Sequence, residues 1–290
     1  MGESITNINW YAGHMTKAVR MMKEDIKLID LIIELVDARA PLSSRNPDID
    51  DLGRNKSRVV LLNKADLSDP VLNIRWTEYF KERGIYVLEL DSRTNSGTKE
   101  VLSIVQEACR EKRERDQRRG ILNRPVRAMV CGIPNVGKST FINSFAGKAV
   151  TKTGNKPGVT RGKQWIRIRK DLELLDTPGI LWPKFDDRRV GVHLALLGSI
   201  NDDIVPMEEL SIELIKILKE CYPDALGSRY EVDPKKQPVD LLECIAVNRK
   251  CLLKGEKADI ARASRLLIDD FRNGRLGRIT LEQNQEVFHE

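Results

Sequence analysis

The sequence has little of the material from which several classes of protein are built. Only 5% of its 290 residues are aromatic and three are histidine, and the five cysteines include no Cys-x-x-Cys pair. This argues against a His/Cys metal centre or a disulfide framework, and free thiols in a reducing compartment are expected. No apolar run is long enough to span a bilayer and no signal-peptide pattern is present, so we expect a cytoplasmic protein with no membrane partner.

The overall composition of the chain is typical of a globular protein with more than one core. Hydrophobic residues make up 41% of the chain and charged residues 32%. At this length two domains can each bury a core. The formal net charge of +6 favours an anionic partner without identifying it.

The strongest motif is residues 132–140, Gly-Ile-Pro-Asn-Val-Gly-Lys-Ser-Thr. It follows the apolar run Val126–Cys131, which predicts a buried strand, and it opens a helical segment. Glycine backbone N–H groups in such a loop cradle phosphates, Lys138 reaches the β- and γ-phosphates, and Ser139 offers a hydroxyl to Mg²⁺. The motif therefore predicts a nucleoside triphosphate site with Mg²⁺ as cofactor.

A second motif, Asn63-Lys64-Ala65-Asp66, follows the predicted strand Val59–Leu62. At the carboxyl end of that strand Asp66 can accept hydrogen bonds from guanine N1–H and the exocyclic amine. Adenine offers neither donor in that arrangement, so the motif favours guanine. Asn63 is expected to tie this loop to the phosphate loop, and the Lys64 stem to lie over the base. The loop at Asp91-Ser92-Arg93 is expected to offer a backbone N–H to guanine O6.

A third motif, Asp176-Thr177-Pro178-Gly179, follows a predicted strand over residues 172–175. Asp176 can hold a Mg²⁺-bound water, and the Gly179 N–H can reach the γ-phosphate. Thr160 is the candidate for a second hydroxyl on Mg²⁺, with Thr153 as the competing choice. The predicted metal residues are Ser139, Thr160 and Asp176 (via water). The predicted nucleotide-binding residues are Asn63, Lys64, Ala65, Asp66, Asp91, Ser92, Asn135, Val136, Gly137, Lys138, Ser139, Thr140 and Gly179.

These are the motifs of a small GTPase in rotated order, with guanine recognition before the phosphate loop. The chain thus resembles a circularly permuted GTPase. In such a domain a short linker joins the original termini, and the chain begins and ends at a different point of the fold. The expected fold is α/β, a three-layer P-loop GTPase sandwich with a mostly parallel sheet, because strands and helices alternate. We expect this domain to cover residues 1–205. Residues 206–290 show helical periodicity and many cations, and predict a smaller all-α, basic domain.

Together with Trp10–Met15 and Asp37–Pro41, the motif set is similar to the ribosome biogenesis GTPase A family. One departure is Ala12, where the family usually has proline. The resemblance implies late maturation of the large ribosomal subunit, with GTP/GDP and the subunit precursor and its rRNA as partners. Residues 206–290 would then bind rRNA. A monomer is favoured, although the sequence does not fix the oligomeric state.

The residue after Asp-x-x-Gly, where many GTPases have a water-orienting glutamine, is Ile180. Hydrolysis should therefore be slow alone and stimulated by the ribosomal subunit. Lys138 is the predicted catalytic residue for transition-state charge, and His14 is the candidate for orienting water, with a structural or RNA-contacting role as the alternative. His193 is assigned to packing. The family resemblance also implies K⁺ coordination by Asn135.

Two other functions fit these residues. One is a guanine-nucleotide-sensing RNA-binding regulator without significant turnover, which the apolar Ile180 favours. The other is a permuted GTPase that acts on a different RNA or on a protein. GTPase assays with and without large subunits would separate these functions.

Overall fold

The computed structural model describes residues 13–94, 96–121, 124–150, 164–182, 185 and 187–283. These residues divide between two compact units, one within Tyr11–Lys184 and one within Phe185–Glu290. We call them the sheet unit and the helical unit. The division lies before the boundary predicted after residue 205, because the helix Arg188–Leu196 packs with the helices that follow it.

The sheet unit contains a six-stranded sheet of order β3-β2-β1-β4-β6-β5. All neighbouring strands pair in parallel except β5 and β6, which are antiparallel. Predominantly apolar sequences explain the three central strands, since most of their residues are buried. The strands are β1 Leu31–Asp37, β2 Ser57–Asn63, β3 Tyr86–Leu90, β4 Val126–Cys131, β5 Gln164–Arg169 and β6 Leu172–Asp176.

Helices cover both faces of this sheet. One face carries two buried clusters, in which α1 and α2 pack on β1, β4 and β6, and α3 packs on β1, β2 and β3. On the other face α4 packs on β2 and β3, and Thr98 just before it lies 3.4 Å from Ser144 of α6. The predicted three-layer, mostly parallel α/β fold is therefore confirmed. The helices are α1 Gly13–Asp25, α2 Asp48–Leu52, α3 Pro70–Glu82, α4 Glu100–Ala108, α5 Arg110–Arg118 and α6 Lys138–Ala146.

The helical unit packs its helices around Leu214, Ile245 and Leu267, which are all 0% exposed. Helical periodicity predicted helices after residue 205, His193 was expected on a helix before them, and both are observed, while the short Pro223–Tyr230 helix was not anticipated. His193 is buried in α7, with Nδ1 3.5 Å from Glu282 Oε1, which agrees with its assignment to packing. The helices are α7 Arg188–Leu196, α8 Met207–Cys221, α9 Pro223–Tyr230, α10 Pro238–Asn248 and α11 Ile260–Arg272.

Candidate nucleotide site

The loop between β4 and α6 can be built only with glycine at its two ends. Gly132 has φ 150° and Gly137 has φ 104°, in the range that side chains rarely adopt. A Cβ on Gly132 would lie 2.5 Å from the Leu35 carbonyl oxygen, and one on Gly137 would lie 2.4 Å from Asn63 Nδ2. The Gly-x4-Gly spacing therefore reflects close backbone approach at both ends of the loop.

Lys138 begins α6 and folds back over this loop. Its Nζ donates to the carbonyl oxygens of Gly132 at 3.0 Å and Ile133 at 2.9 Å. Burial lowers the pKa of Lys138 to about 8, and the nearby Asp176 carboxylate opposes that shift. An anion such as a phosphate beside this ammonium would stabilise its charged form in the same way as Asp176 does.

Asn63 joins the second motif to the phosphate loop. Its Nδ2 donates to the Val136 carbonyl oxygen at 2.8 Å, and its Oδ1 accepts from Ser92 N at 3.1 Å and Ser92 Oγ at 2.8 Å. Asn63 is 2% exposed, so these bonds are shielded from water. One buried amide thus connects three loops that lie at the carboxyl ends of β2, β3 and β4. The sequence anticipated the contact with the phosphate loop.

Lys64 belongs to a buried charge cluster at the end of β1. Its Nζ donates to Asp37 Oδ2 at 2.8 Å and to the Asn135 carbonyl oxygen at 3.1 Å. Arg39 Nε and Nη2 each donate to Asp37 at 2.9 Å. Burial would raise the pKa of Asp37, but Arg39 and Lys64 hold it well below its usual range. Sequence reasoning did not assign Asp37 and Arg39 to the site, although Asp-x-Arg directly after a buried strand was the available signal.

The predicted base-recognition carboxylate, Asp66, is accessible and already ion-paired. Its Oδ2 accepts from Arg93 Nη2 at 2.7 Å, and the Arg93 side chain is 62% exposed. Because an exposed pair is weak, a base with two donors can compete with Arg93 for this carboxylate. Ala65, next to it, fixes the loop by donating its N–H to the Leu90 carbonyl oxygen at 3.1 Å.

Asp91 organises the turn after β3. It accepts from Arg93 N at 2.9 Å and Thr94 Oγ1 at 2.7 Å, while its own N–H donates to the Ser96 carbonyl oxygen. Burial would raise the pKa of Asp91, but these hydrogen bonds lower it. The N–H groups of Asp91, Ser92 and Arg93 are therefore all engaged within the protein. A guanine O6 would have to share one of them.

Asp176 lies at the end of β6 and is 1% exposed. Its Oδ1 is buried and has no hydrogen-bond partner within the part of the chain that the structure describes. Burial raises the pKa of Asp176 to about 6, opposed by Lys138. A buried carboxylate oxygen without a partner next to a phosphate-loop lysine fits a water on Mg²⁺, so these residues are compatible with that ion.

The residues after Asp176 pass against the phosphate loop. A Cβ on Gly179 would lie 2.9 Å from Lys138 Nζ and from the Pro134 backbone. The Ile180 N–H donates to the Gly132 carbonyl oxygen at 3.4 Å, and its side chain is 2% exposed in the cluster that includes Met22 of α1. Ile180 is therefore packed in the core and offers no polar side-chain atom to water.

The structure brings most of the predicted residues to one edge of the sheet. Asn135, with φ 58°, and Val136 lie in the phosphate loop, and Ser139 and Thr140 lie in the first turn of α6. Thr160, like its alternative Thr153, lies outside the described residues. His14 is the second residue of α1, and the structure describes its backbone only. No helix in the described part of the chain is both long and apolar enough to cross a membrane.

Comparison with known proteins gives a consistent result. Residues 127–220 match the family described as 50S ribosome-binding GTPase. The chain is 44% identical over 280 residues to ribosome biogenesis GTPase A of Bacillus cereus, covering 96% of this chain and 95% of that protein. It is 30% identical to the protein of that name from Thermotoga maritima, covering 97% and 96%. The GNP-bound crystal structure of YlqF from T. maritima aligns with a TM-score of 0.68 and 26% identity, covering 93% of this chain and all of that one.

Proposed function

This chain belongs to the ribosome biogenesis GTPase A family and is a GTPase of ribosome assembly, and we propose that it hydrolyses GTP at the site described above and acts in late maturation of the large ribosomal subunit. It docks on the subunit precursor, is stimulated there, and leaves after hydrolysis. The match of residues 127–220 to 50S ribosome-binding GTPases supports the choice of subunit.

The observation that carries the guanine-nucleotide proposal is the position of Asn63. It hydrogen-bonds both the phosphate loop and the loop after β3. The loop that would hold the base through Asp66 and the loop at residues 132–140 that would hold the phosphates are then connected directly by hydrogen bonds of Asn63. Asp66 supplies the discrimination, because adenine would leave its carboxylate desolvated and unpaired at a cost of about 1–3 kcal/mol.

The phosphate groups would be held by Lys138, Ser139 and the N–H of Gly179. Lys138 Nζ would exchange its bonds to the Gly132 and Ile133 carbonyl oxygens for phosphate oxygens and stabilise transition-state charge. Mg²⁺ would neutralise charge on the β- and γ-phosphates when bound. Ser139 would bind it directly, Asp176 through water, and Thr160 would add a second hydroxyl.

The attacking water needs a polar group that Ile180 does not supply. We assign this role to His14, since α1 carries His14 and packs through Met22 on the cluster that holds Ile180. A neutral imidazole orients water or takes its proton. K⁺ held near Asn135 would add positive charge where other GTPases use an arginine.

Exposed cations of the helical unit are the proposed contact with rRNA. Some arginines of this unit are ion-paired instead, including Arg272 with Asp202 and Arg275 with Asp270. Other cations of the unit are exposed and have no ion-pair partner among the described residues, and we take five of these as candidates for phosphate contacts. They are Lys250, Lys254, Lys257, Arg262 and Arg265.

A GTPase assay with purified subunits tests this function. We expect slow hydrolysis by the protein alone and faster hydrolysis with large subunits, whereas small subunits serve as the control and should have no effect. Lys138→Ala should abolish both rates, which excludes a contaminating GTPase. Equal stimulation by the two subunits would contradict the choice of the large subunit.

A second function, a guanine-nucleotide sensor that binds RNA without significant turnover, is favoured by the buried Ile180. The same assay distinguishes it. A sensor would bind large subunits in a nucleotide-dependent manner but would hydrolyse GTP at the same slow rate with and without them.

A further inference from the structure

Aromatic and cationic side chains lie together on the outer strand of the sheet unit. β5 is the edge strand beyond β6, and its Trp165 is 39% exposed. The cationic side chains of this strand and of the turn after it are exposed as well. We call this group the Trp165 surface, and it consists of Trp165, Arg127, Arg167, Arg169 and Lys170.

Strand register places three members of this surface, Trp165, Arg167 and Arg127, on one face of the sheet, whereas a bulge after Arg167 sets Arg169 opposite Leu172 on the face of Ile166. Ile166 is buried, so Trp165 and Arg167 share the opposite face of β5. Arg167 pairs across the sheet with Glu173, and Glu173 pairs with Arg127, which forms one row over three strands. The Arg127 guanidinium carbon lies 5.2 Å from the centroid of the Trp165 ring.

The surface carries positive charge that its neighbours do not compensate. Both adjacent carboxylates are already paired, Glu173 with Arg127 at 3.2 Å and Asp171 with Arg113 at 3.0 Å. Among the described residues, the remaining three cations of the surface have no ion-pair partner. An exposed indole bordered by unpaired cations is therefore available to an anionic, aromatic partner.

We propose that the Trp165 surface binds a single-stranded segment of RNA. An indole stacks on any base, and guanidinium and ammonium groups bind the phosphates on either side. Among the described strands β5 is the outermost, and its edge could also pair with a protein strand, but charge and the exposed ring favour nucleic acid. This contact goes beyond the one assigned to the helical unit, and either can fail without the other.

Binding of an unstructured oligouridylate of about ten nucleotides to the full chain tests the proposal. Trp165→Ala should weaken binding by about 5- to 100-fold, whereas Trp165→Phe keeps a stacking ring and should stay close to wild type. Arg167→Gln with Arg169→Gln should lower the slope of log affinity against log salt by about 1.4, because two phosphate contacts are lost.

Matched controls come from the other edge of the same sheet. Tyr86 on β3 is an edge-strand aromatic that is 36% exposed, so Tyr86→Ala should leave RNA affinity unchanged. Lys81→Gln with Lys99→Gln removes two exposed cations beside β3 and should leave the salt slope unchanged. Each variant is also combined with Lys254→Gln and Lys257→Gln, so that the contribution of the helical unit is seen separately.

Two results would overturn the proposal. The first is wild-type affinity and salt slope for both Trp165→Ala and the double arginine variant, with or without the Lys254 and Lys257 substitutions, which would mean that the Trp165 surface does not bind RNA. The second is an equal loss of slope in the Lys81 and Lys99 variant, which would mean that RNA binding depends on net charge and has no defined position on the sheet unit.

Discussion

Replacing Asn63 by alanine should damage both stability and nucleotide binding, because one side chain joins three loops. The change removes three buried hydrogen bonds, one to the Val136 carbonyl oxygen and two from Ser92. It also leaves the Val136 carbonyl and the Ser92 N–H buried without a partner. At about 1 kcal/mol for each of these three bonds, the free energy of unfolding should fall by roughly 2–4 kcal/mol.

The assays for Asn63→Ala are thermal unfolding and titration with a fluorescent GTP analogue. For a unit of this size the loss corresponds to a fall in Tm of roughly 5–15 °C. Well below that temperature the folded variant should bind the analogue at least about tenfold more weakly, which is about 1.4 kcal/mol, because the base loop and the phosphate loop are no longer held together.

Asn73 provides the matched control. It is 1% exposed in the same sheet unit, its Nδ2 donates to Glu89 Oε2 at 3.2 Å, and its Oδ1 accepts from Ser68 Oγ at 2.8 Å. Asn73→Ala should lower Tm but leave the affinity of the folded protein unchanged. If Asn63→Ala bound the analogue as tightly as Asn73→Ala does, the connection through Asn63 would be structural only and the reasoning would be refuted.

Three further changes test the chemistry. Because the pKa of Asp176 is raised from 3.8 to about 6, the folded protein keeps a proton that the unfolded chain loses, and stability falls as pH rises between these values. Without nucleotide, Asp176→Asn should therefore be more stable than wild type in urea by roughly 1–3 kcal/mol at pH 7 and by little at pH 4, whereas a pH-independent difference would contradict the shift. His14→Ala should keep GTP affinity and lose roughly 10²-fold or more of subunit-stimulated turnover, and an unchanged stimulated rate would remove His14 from catalysis. Replacing K⁺ by Na⁺ should slow turnover, and identical rates would count against an ion at Asn135.

The sequence predicted the central elements of the fold well because their pattern is local. β4 occupies Val126–Cys131 as predicted, and β6 extends the strand predicted over residues 172–175 by one residue. β5 was missed because Trp165, Arg167 and Arg169 interrupt its apolar residues, so only one face is buried. The short helices α2 and α9 were also missed, since five and eight residues carry little periodicity.

The residues of the candidate site likewise fall into those that the sequence predicted and those that it did not. The glycines, Lys138, Ser139 and the Asn63 motif were evident because backbone chemistry demands those residue types at fixed spacing. The Asp37–Arg39–Lys64 cluster, the Arg93 pairing of Asp66 and the engaged N–H groups after β3 were not evident. Each of these depends on residues that come together only when separate strands end at the same edge of the sheet.

By itself the sequence determined a permuted GTPase domain that recognises a guanine nucleotide, together with a basic helical region, because these properties depend on residue type and local spacing. Only the tertiary structure decided which charges are free. It pairs Arg272 and Arg275 within the helical unit, buries Ile180 under α1, leaves Asp176 Oδ1 without a described partner, and exposes Trp165 beside unpaired cations. Burial and ion pairing are set by neighbours in space, and these follow from sheet order and register, which no single segment encodes.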